Sequence, residues 1–443
     1  MKGLFRAVAA LAFVFSCTAV QAQEGLVETL AKAKQADPSF LGAGFQRAAE
    51  QEAIAKARAK LLPSLSFAVD ETRNNDRILE SENQVADSSK ASYDTTTFTL
   101  ALNQSIYNHE HWVRYGQSKL IAQRADIDFD KARQDMLMSV AERYFTVLKT
   151  EEQLAAIGAE KEALSRQVEY ATKSRKAGIG RKSEVEDAEA RYFTALAEEA
   201  QFIKALDDAR YELLKMTNEL PTNLRPIQEQ IPLTLPEPTD PQQWINTGLT
   251  KNPDVLSQQT ALKEAKKEIS AQNAGHFPTL DLTYRQFTED QGGSLFGGAS
   301  KIKSDEVALR LEIPIYQGGG VSASKREAIE RMYKTQEDLH RVMRSVQTDV
   351  NSAYQGVIAN IAQIKALEKT VKSQRSVLMN KQRGHQAGIY TMLVVLDAQR
   401  DLADAERNYI EARYDYVINS LKLKRAAGVL VEDDLQHINA WLK

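Results

Sequence analysis

The sequence holds one cysteine in 443 residues, so no disulfide within the chain can staple the fold. Proline is scarce, at eleven, and the positions 221, 226, 232, 236, 238 and 241 crowd into one stretch. Elsewhere little interrupts long helices. The formal net charge is only −3, which excludes the basic face that a nucleic-acid binder needs. Past the N-terminus, no apolar run reaches the roughly 20 residues of a transmembrane helix. If this chain crosses a membrane, it must do so as β-strands.

The N-terminus accounts for the cysteine. Lys2 and Arg6 precede an apolar run from Ala7 to Phe15, and Val20-Gln21-Ala22 supplies a permissive, small-residue exit. That order is a secretory signal, with cleavage expected after Ala22. A lipoprotein signal is the rival, because Cys17 follows Val14-Phe15-Ser16, but Phe15 is too bulky for a good lipobox. Cleavage removes Cys17 and two positive charges, taking the net charge from −3 to −5.

What remains is rich in Ala, Gln, Glu, Lys, Arg and Leu, the balance of long helices, and it is doubled. Asp37-Pro38 recurs as Asn252-Pro253, and Leu62-Pro63-Ser64-Leu65 as Phe277-Pro278-Thr279-Leu280. Ile106-Tyr107 recurs as Ile315-Tyr316. Val140, Tyr144, Val147, Leu154 and Ile157 answer to Val350, Tyr354, Val357, Ile364 and Leu367, and Ala177-Gly178-Ile179 to Ala387-Gly388-Ile389. The offset drops between the prolines and the Ile-Tyr pairs, so the loop there is longer in the first half. An ordered series of this length means two repeats. The expected division is a signal at 1–22, a first repeat at 23–220, a proline-rich linker at 221–241, a second repeat at 242–428 and a C-terminal segment at 429–443. The linker reads equally as a spacer or as a small belt packed on the helices.

Each repeat holds two alternating runs. Val307, Leu309, Leu311, Ile313 and Ile315 alternate with Glu306, Ala308, Arg310, Glu312 and Pro314. Phe98, Leu100 and Leu102, then Leu65, Phe67 and Val69, then Leu280, Leu282 and Tyr284 follow the same period of two. The spacing predicts strands over about 64–74, 94–107, 279–289 and 305–316, the length of tilted transmembrane strands. Four strands cannot close a barrel, and an open edge cannot face lipid. Chains must therefore pool them: two give eight strands and three give twelve, and spacing does not choose. After the strands come proline-free helices over about 110–175 and 325–386, each near 100 Å at 1.5 Å per residue. Val346, Val350, Ala353, Val357, Ile361, Ile364, Leu367 and Val371 form a coiled-coil seam. Gly178 and Gly388 then turn each helix back on itself.

These residues reach a known family. The chain resembles the TolC family of outer-membrane efflux proteins over essentially its mature length. The resemblance rests on the doubled architecture, on Ile313-Pro314-Ile315-Tyr316 before Gly318-Gly319-Gly320, and on Ala387-Gly388-Ile389-Tyr390-Thr391, Val395-Leu396-Asp397-Ala398-Gln399, Asn408-Tyr409 and Ala412-Arg413-Tyr414-Asp415-Tyr416. It implies a mainly α protein with transmembrane β: a homotrimer whose twelve-stranded outer-membrane β-barrel continues into a twelve-helix periplasmic α-barrel. It implies an exit duct, gated at its periplasmic end, for a tripartite efflux pump or a type I secretion system. The implied partners are outer-membrane lipid, a periplasmic adaptor (membrane fusion) protein, and an inner-membrane RND-type pump or ABC transporter. By position, Gln167, Ser183 and Glu184 match gate-linking residues and Asp397 matches one of two entrance acids. Val394 stands where the other acid is expected, Tyr390 where an arginine is, and His385 where a tyrosine is. A Glu184–His385 link would weaken as His385 loses its proton near neutral pH. One carboxylate per chain near a three-fold axis would favour cations.

Other motifs do less. Gly318-Gly319-Gly320 lacks the Lys-Ser/Thr of a phosphate loop and reads as the bend from strand to helix. His109-Glu110-His111 has no third ligand in sight, no cofactor is implied, and no catalytic constellation assembles. Tyr93, Tyr107, Trp112, Tyr284 and Tyr316 read as interfacial aromatics. The rival function is a trimeric coiled-coil structural or adhesion protein of the envelope, which leaves the paired amphipathic strands unexplained.

Overall fold

The computed structural model describes residues 23–80, 90–294 and 298–443. Lys2, Arg6, Cys17 and the Ala22 cleavage position lie outside the described residues. Two helices, α1 (Leu26–Ala36) and α2 (Pro38–Ala59), lead into strands β1 (Ser64–Arg77) and β2 (Lys90–Tyr107). The long α3 (His109–Lys176) then returns as α4 (Lys182–Thr217). The same order follows in α5 (Pro241–Lys251), α6 (Pro253–Asn273), β3 (Thr279–Gln291), β4 (Ser300–Glu312), α7 (Gly320–Gln386) and α8 (Met392–Ala426), before a short α9 (Glu432–Asn439).

Local chemistry sets the starts. Asp37 and Asn252 accept hydrogen bonds from the backbone of Ser39 (2.9 Å) and Asp254 (2.8 Å), with Pro38 and Pro253 as first helical residues. A side-chain acceptor ahead of proline is a strong helix start. Packing does the rest. α2 and α4 lie along successive parts of α3, while α6 and α8 fill the space between α3 and α7. The chain thus presents four helical columns side by side, with α2/α4 on one flank and α7 on the other. Val346, Val350, Val357, Ile361 and Ile364 of the seam are buried.

The proline-rich segment is a packed belt and not a bare spacer. Leu224 bridges to Glu24, and Ile227 to Leu442. The buried Tyr144 hydroxyl sits 3.1 Å from the carbonyls of Glu24 and Arg225, and burial pushes it well above the usual tyrosine range. Arg413 donates to the Gln228 carbonyl (2.7 Å) and pairs with Glu152 (3.3 Å), which also accepts from the Tyr414 hydroxyl (2.7 Å). Arg413→Ala takes one donor from each of two acceptors, the Gln228 carbonyl and Glu152, of which Glu152 keeps Tyr414. It is expected to cost about 3 kcal/mol, the low end for a buried pair because Glu152 keeps some solvent. Thermal melting of the detergent-solubilised protein reads this, and an unchanged midpoint contradicts it.

The strands form one antiparallel sheet in the order β1-β2-β3-β4. Directly paired residues share a face. Leu65 opposes Leu102, Phe67 opposes Leu100 and Val69 opposes Phe98. Leu280, Leu282 and Tyr284 oppose Leu311, Leu309 and Val307. On the edge strands, Leu65, Phe67, Val69, Val307, Leu309 and Leu311 are each more than half exposed. The other face carries Ser66, Thr99, Thr283 and an Arg285–Glu306 ion pair at 2.6 Å. The apolar band also steps. Leu100, the middle of one block, pairs with Gln286, four residues beyond Leu282 in the middle of the other. A level apolar belt on tilted strands has this slant.

The strands run past the alternation at their far ends, to Arg77, Lys90, Gln291 and Ser300, and one falls short of it. β4 ends at Glu312, short of Tyr316. Pro314 has no N–H to extend a ladder. Gly318 (φ +62°) and Gly319 (φ +82°) then take left-handed conformations as the chain bends into α7.

Candidate functional site

At the ends of the two hairpins lie twin turns. In each, a glycine at positive φ, Gly178 (+77°) or Gly388 (+74°), follows the long helix. The next residue closes the turn back onto that helix: Ile179 N–H donates to Ser174 O (3.0 Å) and Ile389 N–H to Gly384 O (2.8 Å). This is the Schellman closure, which only glycine enters without strain. It leaves Ile179 83% and Ile389 73% exposed at the tips.

The structure places the expected residues around these turns, and not all of them meet. Ser183 is exposed on the first turn of α4. Glu184 accepts from the backbone N–H of Arg181 (3.3 Å) and so caps its own helix. His385 lies 2.9 Å from the carbonyl of Tyr390. A carbonyl can only accept, so Nδ1 carries the proton. Glu184 and His385 are thus each engaged by their own turn, and no link joins them within the chain. Gln167, Tyr170, Gln382, His385 and Val395 line a groove of about 340 Å³ between α3, α7 and α8. Tyr390 lies under the Lys381 ammonium (4.2 Å), with its ring against Gly384.

Asp397 is not a bare carboxylate. Arg191 of α4 donates to it at 2.8 Å, which ties the first hairpin to the second. Both side chains are partly exposed, at 33% and 44%. Such a pair contributes at most about 1 kcal/mol to stability. Its effect is on local charge and on how the two hairpins sit together. Higher up, Arg407 of α8 pairs with Glu160 of α3 (2.9 Å), whose carboxyl burial pushes above the usual range. Neither arginine was singled out by position. The separations of 206 and 247 residues carry no local signal. The His109 ring packs tilted against Phe277 (4.7 Å) and Glu110 pairs with Arg114 (3.2 Å), so that motif has structural work.

The family of outer membrane efflux proteins matches residues 29–219 and 244–429, most of both halves and neither the belt nor the C-terminus. The chain belongs to this family. It is 30% identical to outer membrane protein TolC of Escherichia coli over 426 residues, 94% of this chain and 84% of that one. TolC of Vibrio cholerae is 28% identical over 422 residues, with 95% and 94% covered. The proteases secretion protein PrtF of Dickeya chrysanthemi is 26% identical over 441 residues, with 98% and 94% covered. Among solved structures, the outer membrane protein VceC of Vibrio cholerae superposes with a TM-score of 0.76 at 17% identity, over 91% of this chain and 96% of that one. The chain is accordingly an outer-membrane protein that forms part of an exit duct.

Proposed function

We propose that three copies assemble into one gated duct for efflux or type I secretion. The carrying observation is the sheet: four strands, an apolar outer face, a polar inner face, and two unpaired edges at β1 and β4. Edges cannot face lipid, so β4 of one copy pairs with β1 of the next. Eight strands leave an interior that side chains fill, whereas a duct needs a wider barrel. Three chains supply twelve strands and, from four columns each, twelve helical columns. The recurrence of the element order supports two repeats per chain. Exposed Phe45, Phe193 and Tyr211 on the α2/α4 flank and Tyr333 on α7 are apolar surface for the neighbouring copy to cover.

The duct narrows at the twin turns, where the hairpins of three copies converge. Gln167, Ser183, Glu184, His385, Tyr390 and Asp397 line this gate, with Arg191 as the partner of Asp397. The implied partners at that end are a periplasmic adaptor and an inner-membrane RND-type pump or ABC transporter. Chemical cross-linking in intact outer membranes should yield a ladder that stops at three chains. A ladder ending at two would replace the twelve-stranded duct with an eight-stranded plug.

A further inference from the structure

The turn end of the molecule is basic in a chain that is acidic overall. Between Glu169 and Glu184 there is no acid, and Lys173, Arg175, Lys176, Arg181 and Lys182 all fall there. Between Glu368 and Asp397 there is again no acid, and Lys369, Lys372, Arg375, Lys381 and Arg383 fall there with His385. Four of the acids that flank the turns are engaged, while Asp187 and Glu368 stand exposed further along the helices. Glu169 pairs with Lys173 (2.5 Å) and Glu186 with Lys182 (2.7 Å), Glu184 caps α4, and Asp397 holds Arg191. Arg175, Lys176, Arg181 and Arg383 are exposed around the two glycine turns and make no salt bridge to a described residue. Among them stand the exposed Ile179 and Ile389.

From this juxtaposition we infer that the turn end docks a protein surface that is acidic, with apolar knobs that cover Ile179 and Ile389. The inference rests on the adaptor reading above and adds the sign of the charge that the partner must carry. Two isoleucines per chain, 83% and 73% exposed, are apolar surface that a partner's helical hairpin tip would bury. Unpaired guanidinium groups around them steer an acidic surface into register and oppose a basic one. Surface attraction of this kind weakens with salt, since the screening length falls from about 10 Å at 0.1 M to about 3 Å at 1 M.

The test uses the purified full-length protein and two synthetic helical-hairpin peptides, equal in length and both with leucines at the turn. One carries four glutamates beside the leucines and the other four lysines. Biolayer interferometry should show the glutamate hairpin binding at least tenfold tighter, with affinity falling as salt rises. The surface variant Arg175→Glu/Arg181→Glu/Arg383→Glu, checked for an unchanged melting temperature, should reverse the preference. Ile179→Ser/Ile389→Ser should weaken binding of the glutamate hairpin without reversing it. Equal binding of the two peptides, a preference for lysine, or no binding of either overturns the inference. Conductance of the same preparation reads the duct separately, so a basic-preferring or inert tip on a conducting channel discards only the docking claim.

Discussion

Leu309→Arg is expected to abolish assembly in the outer membrane, while Ala308→Arg, one residue away, is expected to permit it. The two positions face opposite sides of β4. Leu309 sits in the apolar row with Leu282, whereas Ala308 opposes Thr283 on the polar face. An arginine at the lipid midplane costs about 2–4 kcal/mol per chain, and in the proposed trimer three copies share one barrel, so about 6–12 kcal/mol falls on each assembly. On the polar face the same side chain meets water and Glu306. Heat-modifiable mobility on gels of outer-membrane fractions reads assembly directly. Equal tolerance at both positions would mean that the apolar face is not against lipid, and the coiled-coil scaffold reading would return.

The second large effect concerns ion preference at the proposed gate. Arg191→Ala leaves Asp397 without its partner, so each copy contributes a bare carboxylate near the constriction. Asp397→Ala leaves the guanidinium instead. Local potentials of about one to two kT follow from such changes, so the potassium-to-chloride permeability ratio should rise on the order of fivefold in the first variant and fall comparably in the second. The double variant should lie near the parent. Loss of the inter-hairpin tie should also lengthen openings in both single variants. Permeability ratios that do not move would place the pair outside the conducting path and discard Asp397 as a gate residue.

The strands were legible because each alternating run is local, with period two. Their slant was not, since the four-residue step between Leu100 and Leu282 exists only in the cross-strand register. The end of β4 yields to Pro314, a local rule that the alternation masked. The belt prolines mark where helix stops, yet only the buried partners Tyr144, Arg413 and Tyr416 show that the segment is packed. Near the twin turns, Gln167 and His385, two residues matched by position within the family motif, do share one groove. It could not show that Glu184 would cap its own helix or that Arg191 would reach Asp397. The acid-free stretches around Gly178 and Gly388, by contrast, stand open in the sequence. They pass unnoticed until the turns are seen side by side at one end.

The most direct test of the duct is single-channel recording of the purified protein in a planar lipid bilayer. A gated tube predicts discrete, long-lived steps of small conductance, limited by the narrowed turn end. Protein shown to be folded and trimeric that inserts and carries no current, or that never inserts, would contradict it.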